Sequence, residues 1–371
     1  MDNEKNIQQN NLDEILKSAG MGSPTESDDS NASNAFKSGF VAILGRPNVG
    51  KSTLMNHLIG MKIAAVSKRA QTTRKRIQTI YTDERGQIVF LDTPGINRAE
   101  TKLGEYMLDA ATDTLKTCDM IMWIVEPSTF IGAGEKYIIE LIGKAVNDIR
   151  KKNPVRQDGE VNCPVILVIN KIDTLVTKTE SEKKNVSATE SATALKSEAV
   201  NNIISAYKTQ FGDTTGLVFD DIITVSSTEG TNLDKLMNTI YDFLPVGPMY
   251  FDEESITDET EREIAAEFIR EKCLRNLDKE IPHGIAVVID KMKTRPDGSI
   301  VDIDATIICE KESHKGIIIG KKGAMLKKIG TESRNSIEEM LDMRVNLKLW
   351  VKVRPDWRNK TSYMAEYGYK K

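Results

Sequence analysis

Eight residues near the start of the chain have the types and spacing needed to hold a phosphate group. Gly45-Arg46-Pro47-Asn48-Val49-Gly50-Lys51-Ser52 fits the pattern G-x-x-x-x-G-K-S, follows a strand-like run and opens a helix-like one. In this setting glycine lets backbone N–H groups turn towards phosphate oxygens, and the helix N-terminus adds positive potential. Lys51 would reach the β- and γ-phosphates, Ser52 would ligate Mg²⁺, and Thr53 continues the predicted site.

A second segment supplies the chemistry expected around the γ-phosphate. Asp92-Thr93-Pro94-Gly95 follows the apolar run Ile88–Leu91. Asp92 stands where a strand-end carboxylate meets the magnesium, and the N–H of Gly95 can meet the γ-phosphate. The segment therefore predicts a magnesium-bound nucleoside triphosphate.

Two further segments identify the base. Asn170-Lys171-Ile172-Asp173 ends the run Val165–Ile169, and the Asp173 carboxylate can accept hydrogen bonds from both N1–H and the 2-amino group of guanine. Adenine lacks both donors, so it would leave this carboxylate unpaired. Backbone amides of Ser226-Ser227-Thr228 would bind the guanine O6. The order of these segments predicts a guanine nucleotide.

Near the other end, Ile317-Ile318-Ile319-Gly320-Lys321-Lys322-Gly323 carries G-x-x-G between two helical segments. A loop of this kind clamps about four nucleotides of a single strand in KH domains. Six lysines lie between Lys311 and Lys328. We predict RNA contacts at Ile319, Gly320, Lys321, Lys322, Gly323 and Lys327, with the three isoleucines as the floor of a groove.

The elements that must position these residues follow from the hydrophobic pattern. Apolar runs typical of buried strands alternate with helix-period segments through residues 37–245, which predicts a doubly wound, mostly parallel α/β sheet. The strand-like runs are Phe40–Leu44, Ile88–Leu91, Met120–Val125, Val165–Ile169 and Ile222–Val225; the helical segments are Ser52–Leu58, Leu103–Leu115, Glu135–Ile149, Ala194–Tyr207 and Leu233–Phe243.

Three other segments are distinguished by their polar composition. Residues 1–36 are polar and are predicted to be a disordered tail, with a docking helix around Leu12 and Leu16 as the alternative. A polar insertion is predicted at about 177–197, and a linker rich in Pro, Gly and acidic residues at 246–260.

Residues 261–371 read as helix, strand, strand, helix, helix, strand, which predicts an α+β domain of type II KH order. Its elements are expected at Glu261–Leu277, Gly284–Met292, Ile300–Cys309, Gly316–Lys322, Ala324–Leu341 and Val345–Val353. Trp350 in the last strand is interpreted as a core residue, with an RNA-stacking role as the alternative.

Composition limits the function classes. The net charge is −4, yet residues 261–371 hold 23 Lys and Arg against 18 Asp and Glu, a net of +5 that favours a polyanionic partner. The four cysteines form no C-x-x-C pair and the three histidines are scattered, so zinc is not expected. The polar N-terminus and short apolar runs predict a cytoplasmic protein without a secretory signal.

These motifs resemble the Era family of GTPases, through Pro47 and Asn48 and through Gln71-Thr72-Thr73-Arg74. The resemblance implies that Gln71–Lys75 is switch I, with Thr73 closing on Mg²⁺ and Thr72 as its neighbouring candidate. Switch II would run from Asp92 towards Leu103. Ser52, Thr73 and Asp92 would then hold Mg²⁺, and Lys51, Thr73 and Gly95 would serve catalysis.

One departure from Ras-like proteins bears on the rate. Ile96 stands where those proteins carry a catalytic glutamine, and it cannot orient water by hydrogen bonding. Relatives with an apolar residue here hydrolyse GTP slowly. Several use a P-loop asparagine to bind K⁺, so Asn48 is the candidate K⁺ ligand, with mere ordering of the P-loop as the alternative.

The resemblance also implies partners: GTP and GDP, the 3′ end of small-subunit ribosomal RNA, and the small ribosomal subunit during its maturation. A monomer with peripheral contact at the inner face of the cell membrane is expected. From the residues, the leading hypothesis is a GTPase switch coupled to RNA binding. A scaffold that uses GTP only as a structural ligand is the second, and an ATP-driven motor or kinase, disfavoured by Asp173, is the third.

Overall fold

Apolar runs in the N-terminal half become the strands of one six-stranded sheet in the computed structural model. The structure describes residues 35–61, 73–96, 99–156, 159–175, 190–278 and 280–369, without the side chains of 190–196. Almost all of the predicted tail, residues Gln71 and Thr72, and most of the predicted insertion lie outside these ranges. The strands are β1 (Lys37–Leu44), β2 (Ile77–Asp83), β3 (Gly86–Asp92), β4 (Met120–Val125), β5 (Val165–Ile169) and β6 (Asp221–Thr224).

The sheet order is β2-β3-β1-β4-β5-β6, and every pair except β2–β3 is parallel. Every residue of β4 and β5 is buried, because helices cover both faces of the sheet. The helices are α1 (Lys51–Ile59), α2 (Lys102–Leu115), α3 (Ala133–Lys152), α4 (Glu190–Thr215) and α5 (Leu233–Phe243). Parallel strands therefore deliver the ends of β1, β3, β5 and β6 to one edge of the sheet.

Strand β2 and the length of α4 differ from the sequence prediction. Strand β2 is antiparallel to β3 and lies at the sheet edge. Its sequence, Ile-Gln-Thr-Ile-Tyr-Thr-Asp, mixes polar and apolar residues, so it lacks the continuous apolar run of an interior strand. Helix α4 begins at Glu190, so the last part of the predicted insertion is helical.

The predicted linker is an ordered segment that lies on the sheet, and we call residues 246–260 the connector. The buried side chain of Gln87 accepts hydrogen bonds from the backbone N–H groups of Tyr250 (2.8 Å) and Phe251 (2.9 Å) and donates one to the carbonyl of Phe251 (2.9 Å). Further along, the N–H of Ile80 on β2 donates to the carbonyl of Ile256. The connector thus covers part of the outer edge of β2 without adding a strand to the sheet.

The C-terminal domain has the predicted order of elements. It contains α6 (Glu261–Asn276), β7 (Ala286–Thr294), β8 (Ile300–Cys309), α7 (Glu312–Ile319), α8 (Ala324–Leu341), β9 (Arg344–Val353) and the unpredicted α9 (Thr361–Glu366). Thr260 and Glu263 form a capping box that starts α6. Strand β8 pairs antiparallel with β7 and parallel with β9, so this sheet is mixed. The predicted fold class is confirmed.

The interpretation of Trp350 as a core residue is wrong. Successive side chains of a strand face opposite sides of a sheet, and on β9 Val345, Leu347 and Leu349 face the hydrophobic core. Trp350 is therefore on the other face, where 61% of it is exposed. Among the described residues, no helix combines the length and apolar character needed to cross a bilayer.

Candidate functional site

The loop between β1 and α1 is shaped around Lys51. Gly50 adopts a left-handed conformation (φ 101°) immediately before the helix, which glycine tolerates without strain. The buried Lys51 ammonium donates hydrogen bonds to the carbonyls of Gly45 (3.1 Å) and Arg46 (3.2 Å). Burial lowers the pKa of Lys51 from its usual value, and the nearby charge of Asp92 opposes that shift. The arrangement holds a cation inside the loop, as phosphate binding requires.

Three oxygen-bearing side chains meet beside Lys51. Thr73 donates a hydrogen bond to Oδ2 of Asp92 (3.2 Å), and its hydroxyl lies 3.4 Å from that of Ser52. All three residues are buried, and Oδ1 of Asp92 has no hydrogen-bond partner among the described residues. Hard cations such as Mg²⁺ bind oxygen ligands of this kind, so the residues fit the predicted metal. The alternative ligand Thr72 lies outside the described residues.

Burial raises the pKa of Asp92 to about 6, although Lys51 and the hydrogen bond from Thr73 pull it down. A carboxyl group that is costly to ionise in the protein gains from a divalent cation, which replaces the lost solvation. The cost of burying Asp92 is therefore consistent with a metal ligand.

Gly95 lies against the P-loop. A Cβ atom added at this position would lie 2.8 Å from Cγ and 2.9 Å from the backbone nitrogen of Pro47, so a side chain cannot be accommodated. Thr93 anchors the same segment by donating to the carbonyl of Ile43 (2.7 Å). Ile96, only 3% exposed, packs in the hydrophobic core and has no group that could orient water.

The predicted base-recognition segments are joined by Asn170. Its side chain donates to the carbonyl of Val49 (2.8 Å) and accepts from the backbone N–H (3.1 Å) and hydroxyl (2.8 Å) of Ser227. Asp173 accepts a hydrogen bond from Ser226 (2.6 Å). One buried amide therefore holds the P-loop and both base-recognition segments together.

Other P-loop contacts were not predicted. Lys171 donates to the carbonyl of Asn48 (2.5 Å) and forms an ion pair with Glu126, the residue after β4. Arg46 turns towards Glu135 at the start of α3, with which it forms an ion pair. Glu126 carries a weak sequence signal, since a charged residue directly follows a buried strand at the site edge. Glu135 carries none, because acidic residues are common in the first turn of helices.

The predicted RNA loop is accessible. Helix α7 ends at Ile319, and Gly320 (φ 72°), Lys322 (φ 51°) and Gly323 (φ 78°) adopt positive φ values in the turn before α8. A Cβ on Gly320 would lie 2.8 Å from Cβ of Met325, so this glycine permits close packing of the turn. Lys321, Lys322 and Lys327 are exposed.

The predicted floor of the groove needs revision. Ile318 is fully buried in the domain core, whereas Ile317 is half exposed and Ile319 is partly buried. A helix directs successive side chains to different sides, so the three isoleucines cannot share one surface. Ile319 keeps its predicted place beside the loop.

Arg74, directly after Thr73, binds the C-terminal domain. Its guanidinium is buried and donates to the carbonyls of Ile285 (2.5 Å) and His283 (2.9 Å). It also lies over the ring of Trp357, 5.9 Å from the ring centroid. Sequence reasoning placed Arg74 in switch I, but nothing in its spacing identified the contact with the other domain.

Helix α2, at the end of predicted switch II, meets the same tryptophan. Leu103 and Met107 form one buried cluster with side chains of the C-terminal domain, and the backbone N–H of Lys102 donates to the side chain of Asn359 (3.2 Å). Trp357 itself donates to the carbonyl of Gly284 (2.9 Å). The partners of α2 in this cluster are Ala286, Ile308, Trp357, Met364, Tyr367 and Tyr369.

Comparison with known families assigns each domain separately. Residues 40–171 match the family described as 50S ribosome-binding GTPase, and residues 280–358 match the KH domain family. The described P-loop and the Gly320–Gly323 turn lie inside these two regions.

Comparison with whole proteins covers most of the chain. The GTPase Era of Clostridioides difficile is 48% identical over 334 residues, which is 90% of this chain and 99% of that protein. The GTPase Era of Alkaliphilus metalliredigens is 46% identical over 335 residues, again 90% of this chain and 99% of that protein.

Two solved structures of similar proteins each align with a TM-score of 0.74 at 35% identity and cover 91% of this chain and 100% of theirs. One is a variant of Aquifex aeolicus Era bound to GDP and AlF4⁻. The other is Era in complex with MgGDPNP and nucleotides 1506–1542 of 16S ribosomal RNA.

The raised pKa of Asp92 predicts how acid affects metal binding. The carboxyl group must lose its proton to bind Mg²⁺, and its pKa is about 6, so the Mg²⁺ contribution to nucleotide affinity should fall as pH drops through that value. Between pH 7 and pH 5 the charged fraction of Asp92 falls about tenfold, and the contribution should follow.

Titrations of fluorescent GDP with and without Mg²⁺ at both pH values measure this contribution. The control is Asp92→Asn, whose side chain cannot titrate in this range, so the remaining pH effect belongs to the nucleotide. Equal pH effects on the wild type and on Asp92→Asn would contradict the prediction.

Proposed function

Because the chain belongs to the Era family of GTPases, we propose that it is a GTP-driven switch whose KH domain holds the single-stranded 3′ end of small-subunit ribosomal RNA during subunit maturation. GTP hydrolysis is the activity of this family. The observation that carries the RNA proposal is the accessible, lysine-fringed Gly320–Gly323 turn, in a chain 35% identical to an Era that was solved with 16S ribosomal RNA. Contact with the cell membrane and the monomeric state stay predictions.

The predicted nucleotide-site residues divide by role in this proposal. The P-loop from Gly45 to Thr53 would surround the phosphates, with Lys51 on the β- and γ-oxygens. Asp173 would select guanine, and Asn170 with Ser227 would hold its loop in place. Gly95 would offer its N–H to the γ-phosphate, a position that its close approach to Pro47 supports.

Magnesium would be held by Ser52, Thr73 and Asp92 and would neutralise charge on the β- and γ-phosphates. With Ile96 buried, no side chain at that position orients water. Hydrolysis then depends on charge stabilisation and on positioning by the backbone, which favours slow intrinsic turnover.

The catalytic and RNA sites can be tested in one pair of variants. Lys51→Ala should abolish multiple-turnover phosphate release, because the phosphates lose their buried cation, and it should leave RNA binding measured without nucleotide intact. Gly320→Asp should weaken binding of a 3′-end rRNA oligonucleotide by at least about tenfold through charge repulsion and crowding, with nucleotide affinity unchanged.

Circular dichroism establishes that both variants are folded, and a scrambled oligonucleotide tests sequence preference. Phosphate release by the wild type no faster than by Lys51→Ala would leave only a structural role for GTP. Unchanged RNA affinity in a folded Gly320→Asp protein would overturn the RNA proposal.

The P-loop also supports a role for K⁺. Asn48 has an exposed position and a left-handed backbone (φ 70°), and the neighbouring Arg46 side chain is engaged by Glu135. A K⁺ ion bound at Asn48 would add positive charge between the β- and γ-phosphates, where charge develops in the transition state.

Hydrolysis should therefore be about tenfold or more faster in KCl than in NaCl at equal ionic strength. Asn48→Ala should remove most of that difference while GTP affinity changes little. Equal rates of the wild type in the two salts would exclude the K⁺ role.

Nucleotide state and RNA binding should be coupled through switch I. Thr73 contacts the magnesium ligands, and Arg74 donates to two carbonyls of the KH domain. Release or capture of Thr73 would pull on Arg74 and change the position of the KH domain. Since linkage is reciprocal, RNA that changes the domain arrangement must also change nucleotide affinity.

Arg74→Ala should reduce the effect of saturating RNA on GTP affinity and turnover towards none. The matched control is Arg76→Ala, which removes an exposed arginine two residues away. Thermal unfolding shows whether each variant keeps its fold. If Arg74→Ala responds to RNA as strongly as Arg76→Ala does, coupling does not pass through Arg74.

A further inference from the structure

The outer face of the KH sheet carries an exposed tryptophan between two lysines. Trp350 is 61% exposed, and Lys348 and Lys352 lie two residues before and after it on β9. Residues two apart on a strand share a face, so the three side chains form one row. Both lysines are exposed, and neither forms an ion pair with any residue that the structure describes. We call Lys348, Trp350 and Lys352 the β9 row.

The β9 row lies close to the predicted RNA groove. Among the described strands, β9 pairs only with β8, so it is the edge of the sheet. Helices α7 and α8, which flank the Gly320–Gly323 turn, pack against β9. Gly330 on α8 approaches Leu349, the neighbour of Trp350, on the opposite face. An RNA chain that leaves the groove across the free edge of β9 would therefore meet Trp350.

The same face is covered by protein on one side of the row. Ile308, the partner of Lys352 in β8, belongs to the buried cluster of Trp357 and α2. Val288, the partner of Thr306 on β7, packs against that cluster, whereas Trp350, the partner of Thr306 on β9, is 61% exposed. Trp350 therefore stands where the contact between the domains ends, and this explains how a large aromatic side chain stays accessible in the folded chain.

The charges around the row favour a polyanion. Asp290 accepts a hydrogen bond from Thr306 (2.6 Å), and Asp302 forms an ion pair with Arg295 (2.9 Å). Asp304, opposite Lys348, is the third acid on this side. Lys291 and Lys293 on β7 lie opposite Asp304 and Asp302, so together with Lys348 and Lys352 the lysines on this face outnumber the three carboxylates.

An aromatic ring between lysines suits an unpaired nucleotide. Proteins that bind single strands stack bases on aromatic side chains and follow the backbone with positive charge. On a strand each lysine lies about 7 Å from the tryptophan, a distance that one extended nucleotide can bridge. A protein partner would be met by an apolar surface around the tryptophan, and here the neighbours are two lysines.

We propose that the β9 row is a second RNA contact, on which a base stacks outside the nucleotides held at the Gly320–Gly323 turn. The ligand is an unpaired ribonucleotide segment that continues from the groove. This inference rests on the proposed RNA function and extends the bound length of RNA beyond about four nucleotides.

The test uses the full chain and a 12-nucleotide unpaired RNA with single abasic positions. Trp350→Ala should lower the affinity for the intact RNA about 5- to 150-fold, the range for loss of one stacked base. Trp350→Phe should keep most of the wild-type affinity. Removal of the base at one position of the RNA should lower its affinity for the wild type but should not lower its affinity for Trp350→Ala any further. Basal GTP hydrolysis without RNA should be the same in both variants and in the wild type.

Intrinsic fluorescence gives an independent readout. Trp123 and Trp357 are fully buried, whereas Trp350 is exposed, so stacking of a base should quench the wild-type signal. The quenching should be absent in Trp350→Phe.

The outcomes separate the two proposals. Suppose that Gly320→Asp lowers RNA affinity, whereas Trp350→Ala keeps both the wild-type RNA affinity and the fluorescence quenching. The β9 row is then not an RNA contact, and the proposed function stands. If neither substitution lowers RNA affinity, the proposed function itself fails. A protein contact at Trp350 would give the first result.

Discussion

Two consecutive residues, Thr73 and Arg74, bind different domains. Their Cα atoms are about 3.8 Å apart, so neither can move far without the other. The Thr73 hydroxyl contacts Asp92 and lies near Ser52 in the GTPase domain, whereas the Arg74 guanidinium donates to backbone carbonyls of the KH domain. A buried guanidinium is costly to leave unpaired, so any movement that broke this contact would have to supply another partner for Arg74. The peptide bond between the two residues thus joins the predicted metal site directly to a contact with the KH domain.

Trp357 connects the two domains at a second place. It is fully buried, contacts Arg74 from predicted switch I, and shares a cluster with Leu103 and Met107 from the end of predicted switch II. Residues from both predicted switches therefore pack near one aromatic side chain of the C-terminal domain. Large aromatic residues contribute much of the buried area at such contacts. Two discrete arrangements of this cluster would give the protein a way to report its nucleotide state to the KH domain.

The sequence was most informative where chemistry restricts residue type. The P-loop, Asp92, Asn170 and Asp173 were all predicted from spacing to share a site, and the structure brings them to one edge of the sheet. Long-range contacts made by ordinary residue types were not predicted, as with Arg74 and Glu126, because nothing in local spacing specifies a partner 211 residues away in one case and 45 in the other. Trp350 was misread for a similar reason: alternation along β9 places it outside, but its apolar size favoured the core.

The connector has a consequence for how the protein can be divided. Strand β2 is the edge of the six-stranded sheet, and the connector supplies hydrogen-bonded cover there through Ile256 and Thr257. Exposed strand edges invite pairing between molecules and aggregation. A fragment that stops at Leu244 would uncover that edge, whereas one that runs to Thr260 would keep it protected. The hydrogen-bonded cover of this edge thus extends to the start of α6, through a segment whose composition is that of a spacer.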